Sequence, residues 1–353
     1  MAAQRKFVVM VMATFLILGQ PTYGQDLDDG ADAGRSPSFY AGTEALWLMR
    51  TYPGSFAIAS TVDRTATTIP GVTISLADLR DNAAEPGLRA WVGFGLGEGY
   101  AVELSYFGLQ EWSRSATIPV QDPPFANSPF LGTSVPFANK SFDTTLTATL
   151  DSEVHNAEAN LRRAASGERW GAAALVGFRY FHLNETIDIT GVEQFISTIE
   201  TTRTQVTNNL YGAQVGGEVS RRWFGNRLAL SFNGKVGIFA NNANQDTSNF
   251  SYRTDGLAGN ITLAGGRGTT SFAPLYEGGL NAVFWFTRNV ALRAGYTVLY
   301  VDQLALAPDQ LLLTGTAIRS FPQQAYPPGT GSQITTSGDL FLHGPSVGLS
   351  VAY

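Results

Sequence analysis

From residue 39 onward the sequence alternates. In His343–Tyr353 the odd positions hold Pro345, Val347, Leu349, Val351 and Tyr353, and the even ones Gly344, Ser346, Gly348, Ser350 and Ala352. Successive side chains of a strand point to opposite faces, so this is a strand with one apolar face and one small or polar face. The same reading applies to 39–49, 88–96, 100–106, 170–180, 208–219, 228–238, 272–286 and 290–300, and 147–161 alternates poorly. The result is about ten strands of roughly 9–14 residues, long enough for a tilted membrane crossing.

The connections carry a second regularity. Gly97-Glu98-Gly99, Ser166-Gly167-Glu168, Phe224-Gly225-Asn226 and Thr287-Arg288-Asn289 are tight turns. Between them lie the long segments 50–86, 110–145, 184–207, 242–270 and 303–338. Compact soluble domains rarely carry five such loops, whereas an outer-membrane barrel needs short periplasmic turns on one rim and longer loops on the other. The expected fold is therefore all-β: a transmembrane antiparallel up-and-down β-barrel of about ten strands, with twelve possible, short periplasmic turns and long external loops. A secreted sandwich would also alternate, but its water face would be rich in Lys, Glu and Thr. Here the polar face is mostly Gly, Ser and Ala with isolated charges. The apolar face ends in aromatics such as Trp47, Tyr100, Trp170, Tyr211 and Tyr353, as interfacial belts do. The loops 110–145 and 303–338 are rich in Pro and polar residues, a composition that resists regular structure.

The start of the chain fits export. Arg5 and Lys6 precede the apolar run Phe7–Leu18, and small residues follow, so 1–24 reads as a signal peptide. Residues 25–38 read as a loose mature N-terminus and 39–353 as the barrel. The expected location is the bacterial outer membrane. The expected partners are its lipid and the barrel assembly machinery, met through the last strand ending at Tyr353, together with small solutes or ions.

On this parity the lumen receives Glu44, Arg89, Glu103, Glu158, Arg179, Gln214, Glu218, Lys235, Glu277, Asn281 and Arg293. Five acids meet four bases, so the interior is nearly charge-balanced. Ten strands lie near the filled end of the barrel series. A narrow or occluded bore is expected, held by Arg–carboxylate pairs that are costly to leave single.

Motifs for chemistry are sparse. There is no cysteine, which excludes disulfides, thiolate metal sites and cysteine nucleophiles. A net charge of −6 without a basic block gives no electrostatic basis for nucleic-acid binding. Gly93–Gly99 offers G-x-G spacing, but another strand follows it where a dinucleotide site needs a helix. His155, His182 and His343 are scattered. No catalytic, cofactor or metal site is expected, and the chain reads as a non-enzyme. The leading function is a narrow porin-like channel for ions or small solutes. Alternatives are a structural or surface-contact barrel without flux, or an outer-membrane hydrolase using His182 near Glu185 and Asp188.

Several segments resemble a known family. Asn208-Asn209-Leu210-Tyr211-Gly212-Ala213-Gln214-Val215-Gly216 resembles an N-x-L-x-G-x-Q-x-G strand. Arg293-Ala294-Gly295-Tyr296, then Ala307-Pro308-Asp309-Gln310, resembles R-x-G-Y followed by A-P-x-Q. Val176–Phe181 and Glu103–Gly108 fit in the same order. Together these resemble β-barrel porin family seven, a planctomycete-type family, over about 39–353. Tyr300 departs from it, standing where the family often has Trp. The resemblance implies an outer-membrane barrel and brings no catalytic residues with it.

Overall fold

A computed structural model describes residues 38–51, 57–62, 73–79, 83–120, 125–127, 144–167, 169–193, 198–225, 227–253, 261–314 and 334–353. The leader and most of the loose N-terminus expected above lie outside these residues. In chain order the elements are β1 (Phe39–Thr51), β2 (Ala57–Val62), β3 (Thr73–Ser75), a 3-10 turn (Leu76–Leu79), β4 (Glu85–Gly97), β5 (Tyr100–Val120) and β6 (Phe125–Asn127). They continue as β7 (Thr144–Ser166), β8 (Trp170–Glu193), β9 (Thr198–Trp223), β10 (Leu228–Arg253), β11 (Ile261–Trp285), β12 (Val290–Leu304), a helix α1 (Ala307–Thr314) and β13 (Gly338–Ala352).

Ten strands close on themselves in the order β1-β13-β12-β11-β10-β9-β8-β7-β5-β4, every neighbour antiparallel. Closure is made by β1, where Tyr40 faces Ala352 on one side and Gly93 on the other. Ten strands about 4.8 Å apart and tilted by about 40° give a backbone radius of about 10 Å. Side chains from opposite walls can meet across such a bore.

The tight turns fall where the sequence places them. At the β4–β5 turn Gly97, Glu98 and Gly99 all have positive φ (89°, 52° and 80°), a path that two glycines make accessible. The strands, however, are longer than expected. Those from β7 to β11 run 23 to 26 residues. Two of the segments read as long loops, 184–207 and 242–270, are largely strand, so on this side the wall rises well above the rest. The other long segments, 50–86, 110–145 and 303–338, also hold order. β2, β3 and β6 form a small separate sheet, and α1 begins with Pro308 in its first turn, where a missing N–H leaves no bond unmade.

The alternation continues along each tall strand, but the face that is apolar exchanges halfway. On β8 the outward positions are Trp170, Ala172, Ala174, Val176, Phe178 and Tyr180, then His182, Asn184, Thr186, Asp188 and Thr190. The inward ones are Gly171, Ala173, Leu175, Gly177 and Arg179, then Phe181, Leu183, Glu185, Ile187 and Ile189. Phe178 is 53% exposed and Phe181 is 0% exposed. β10 does the same, with Phe232, Val236 and Ile238 exposed outward below Asn242 and Asp246, and Phe239 buried above Lys235. From Trp170 to Tyr180 the exposed apolar band rises about 25 Å along the axis at the usual strand rise and tilt, the height of a hydrocarbon layer. Above it the barrel is built like a water-soluble one, polar outside and apolar within.

The exchange also explains why β7 alternates poorly. Its inward face passes from Leu150 and Val154 to Asn156, Glu158 and Asn160 within one strand. On β5 a bulge adds a further parity change. Leu109 sits at φ 71°, and the register shifts between Gly108 and Gln110. Phe107 and Trp112, of opposite parity in sequence, are thereby both buried inside.

Candidate functional site: a layered lumen

The eleven residues expected in the lumen converge there, in or beside one cavity of about 510 Å³ at the turn end. Its wall includes Glu44, Arg89, Glu103, Glu158, Glu218, Lys235, Glu277, Asn281 and Arg293. Arg179 and Gln214 close its inner end through Glu158.

Glu158 is the hub. Its carboxylate accepts from Arg179 Nη2 at 2.5 Å, Gln214 Nε2 at 2.8 Å, Lys235 Nζ at 2.9 Å, Asn160 Nδ2 at 3.0 Å and Asn156 Nδ2 at 3.2 Å. Arg179 also pairs with Glu277, which lies 3.7 Å from Lys235 and 3.8 Å from Arg89. Arg89 reaches on to Glu44 at 3.7 Å, and Glu44 accepts from Arg293 Nε at 2.9 Å. Asn281 donates to Asn233 at 3.0 Å. Nearer the turn end, Arg162 donates to Glu218 at 2.7 Å and approaches Glu103 at 3.7 Å, while Tyr40 donates to Glu103 at 2.8 Å.

Arg162 is the member the sequence reading missed. It follows the stretch of β7 where the alternation breaks, and its neighbour Arg163 faces outward. With it, five carboxylates (Glu44, Glu103, Glu158, Glu218, Glu277) meet five cations (Arg89, Arg162, Arg179, Lys235, Arg293). A buried lattice of this kind stands only when each charge is matched, because a single unpaired ion in such surroundings is costly. Gly93 leaves space for this lattice. A Cβ there would lie 2.0 Å from the Tyr40 ring, so the absence of a side chain lets Tyr40 lie flat toward Glu103.

Above the lattice the bore is filled by apolar side chains. Leu46, Leu48, Phe107, Trp112, Phe181, Phe239, Leu299 and Leu342 belong to one contiguous core of seventeen buried residues among those described. A second ionic pair, Arg50 with Glu185, lies beyond them at 0% exposure and is bridged by Ser152. A second core then packs Ile74 of β3, Leu76 and Leu79 of the 3-10 turn, and Ala305 and Ala307 against Leu150, Ile187, Ile189 and Val206 of the wall.

This inner plug is tied down by specific bonds. Asn208 accepts from the Ala305 N–H at 2.9 Å and donates to the Ala305 carbonyl at 2.7 Å, and Asn241 donates to Asn208 at 2.9 Å. The N–H of Ala307, at the start of α1, donates to Glu185 at 2.9 Å, a carboxylate placed against a helix N-terminus. Gln310 holds both polar groups of the Thr335 backbone, at 2.6 and 3.0 Å. The segment Asn208–Gly216 thus runs down the inner wall from plug to lattice, with Asn208 at the upper end and Gln214 at the lower. Two plug-side carboxyls lie outside the spanning strands. The Ser75 backbone N–H and hydroxyl hold the Asp78 carboxyl below its usual range. Burial, with Glu185 and Asp339 nearby, raises Asp309 to about 6.

The group His182, Glu185 and Asp188 does not come together. Alternation sends Glu185 inward to Arg50, while His182 and Asp188 face out. Asp188 accepts two hydrogen bonds from Arg203, from Nη2 at 2.6 Å and from Nε at 2.7 Å. The three histidines instead join a tyrosine belt where the outer face turns polar. His155 lies opposite His182 and bonds the Tyr106 hydroxyl at 2.7 Å, and His343 bonds that of Tyr296 at 2.7 Å. Among the described residues no cluster of three or more His, Asp or Glu side chains could hold a metal ion.

Similar folds and sequences bear on identity. The outer membrane protease OmpT of Escherichia coli overlays at TM-score 0.45 and 8% identity, covering 93% of this chain and 100% of its own. A Pseudomonas aeruginosa FadL homologue overlays at 0.23 and 8%, covering 89% of each chain. An anion-selective porin from Comamonas acidovorans overlays at 0.21 and 9%, covering 90% and 99%. At such identities and overlaps a shared activity does not follow. No curated protein matches the chain in sequence. The profile of one sequence family, Putative beta barrel porin-7 (BBP7), does match, over residues 43–353, which takes in nine barrel strands whole and most of β1. The chain belongs to the beta barrel porin-7 family.

Proposed function

We propose that this protein sits in the bacterial outer membrane as a porin-type barrel that stands closed, passing small ions at most until its inner plug moves. The observation carrying this reading is the blocked bore. A path from the turn end meets the Glu158–Arg179–Glu277–Lys235 lattice and then two successive apolar cores. An ion entering such an apolar layer would lose its water without finding ligands in exchange. The 25 Å apolar band and its aromatic girdles support the membrane location. On this reading the short turns are periplasmic, lipid is the standing partner, and the strand ending at Tyr353 meets the barrel assembly machinery during insertion. No catalytic step is assigned.

A second reading has an observation of its own. The tall wall from β7 to β11, filled like a soluble domain, suits a surface-contact barrel without flux. Planar-bilayer recordings separate the two. The wild-type protein is expected to show little conductance, and Arg179→Ala with Asn208→Ala, which thins the lattice and unties the plug, to raise it. Liposome swelling by sugars through the wild-type protein would overturn the closed state. Silence of both forms would leave the surface-contact reading in its place.

A further inference from the structure

The turn end of the barrel carries more positive charge than its acids can match. Arg163, Arg169, Arg221, Arg227 and Arg288 are exposed there and Arg222 is half-buried. Among the described residues no ion pair reaches any of the six. The acids of the four turns are Glu98 and Glu168, and Glu218 is held inside by Arg162. This lies in a chain of net charge −6, whose opposite end presents Glu111, Asp151, Glu153, Asp188 and Asp246 on its outer wall.

Two of these arginines are ordered on rings. Arg163 lies opposite Tyr100 across the β5–β7 pairing, its guanidinium 5.1 Å from the ring centre. Arg221 lies opposite Trp170 across the β8–β9 pairing, 5.1 Å from that ring and 5.3 Å from Trp223. A guanidinium stacked by its face keeps its edge free, and that edge is a planar fork of donors matched to phosphate oxygens. The same rings stand at the lower margin of the exposed apolar band, beside Leu161, Val176 and Val219.

We propose that this rim binds the headgroups of anionic phospholipids, with Arg163 on Tyr100 and Arg221 between Trp170 and Trp223 as the two seats. The proposal rests on the membrane reading above. A soluble polyanion would satisfy the charge but has nothing to lay on the adjoining apolar wall. A phospholipid supplies phosphate at the level of the guanidinium and acyl chains at the level of the band. In a zwitterionic lipid the amine cancels the phosphate, so the rim should select lipids with net negative charge.

The test uses the full barrel in liposomes and electron spin resonance of spin-labelled phosphatidylglycerol and phosphatidylcholine, comparing the fraction of each held at the protein surface. At low salt the wild type is expected to favour phosphatidylglycerol by about fivefold, the scale of one basic residue at a charged membrane surface, and to lose the preference in high salt. Arg163→Gln with Arg221→Gln should bring the ratio near one. Arg163→Lys with Arg221→Lys should keep part of it, and Arg203→Gln at the far end should leave it unchanged. A wild-type ratio near one, or a preference surviving the double Gln variant, overturns the proposal. Heat-dependent gel mobility shows that each variant is folded. A barrel that enters no bilayer would sink the membrane reading itself, whereas one that enters without discriminating would sink this proposal alone.

Discussion

Replacing Arg179 with methionine tests whether the lumen lattice is a matched set. Arg179 and Lys235 balance Glu158 and Glu277, with both carboxylates and Arg179 almost wholly buried. Arg179→Met leaves the two carboxylates one cation short, with Lys235 and the more distant Arg89 as the cations still near them, and the length of methionine refills most of the vacated space. Breaking a buried pair by removing one partner costs about 3–5 kcal/mol, chiefly for the stranded charge. Glu277→Gln should cost a similar amount by stranding a cation. The double variant leaves Glu158 with Lys235, again neutral, so its loss should fall short of the sum of the singles by about 2 kcal/mol or more. The assay is equilibrium urea unfolding in lipid, followed by tryptophan fluorescence. A single variant losing less than about 1 kcal/mol, or a double variant equal to the sum, would refute the matched lattice.

Two further outcomes follow from the plug and the wall. Asp309 has a raised pKa in the docked plug, so docking is strongest below its unperturbed value of 3.8 and weakens as pH rises through about 6. Protection of the 305–310 amides, taken relative to their intrinsic base-catalysed exchange at each pH, should therefore be greater at pH 5 than at pH 8, and Asp309→Asn should level it; a pH-dependent protection persisting in that variant would contradict the assignment. Gly93→Val places a side chain where the Tyr40 ring lies, expelling Tyr40 from Glu103 at about 1–3 kcal/mol, seen as a lower temperature of the gel-mobility transition. An unchanged transition would mean that the Tyr40 slot is dispensable.

The alternation of His343–Tyr353 reappears as β13, facing β1 and β12, because a period of two survives any tertiary context once one face meets oil. The lumen residues were legible for the same reason, since an isolated Glu or Arg on a face of Gly, Ser and Ala has nowhere else to point. The upper lengths of β8 and β10 resemble loops in sequence because their outward residues, Asn184, Thr186, Asn242 and Asn244, have the composition of loops. They are the water face of a wall whose apolar face has turned inward. His182, Glu185 and Asp188 looked like a cluster in sequence, yet an odd separation on a strand puts Glu185 on the opposite face from the other two.

Sequence alone determined the barrel, its short turns and most of the charged side chains that line the lower lumen, Arg162 excepted, because each is written in residues one or two apart. Only the tertiary structure decided that the bore is stopped. Asn208 holds Ala305 across 97 positions, and Arg293 reaches Glu44 across 249. Partners so far apart leave no local period. They are brought together by closure of the cylinder and by the level at which its oily face passes from the outside to the inside.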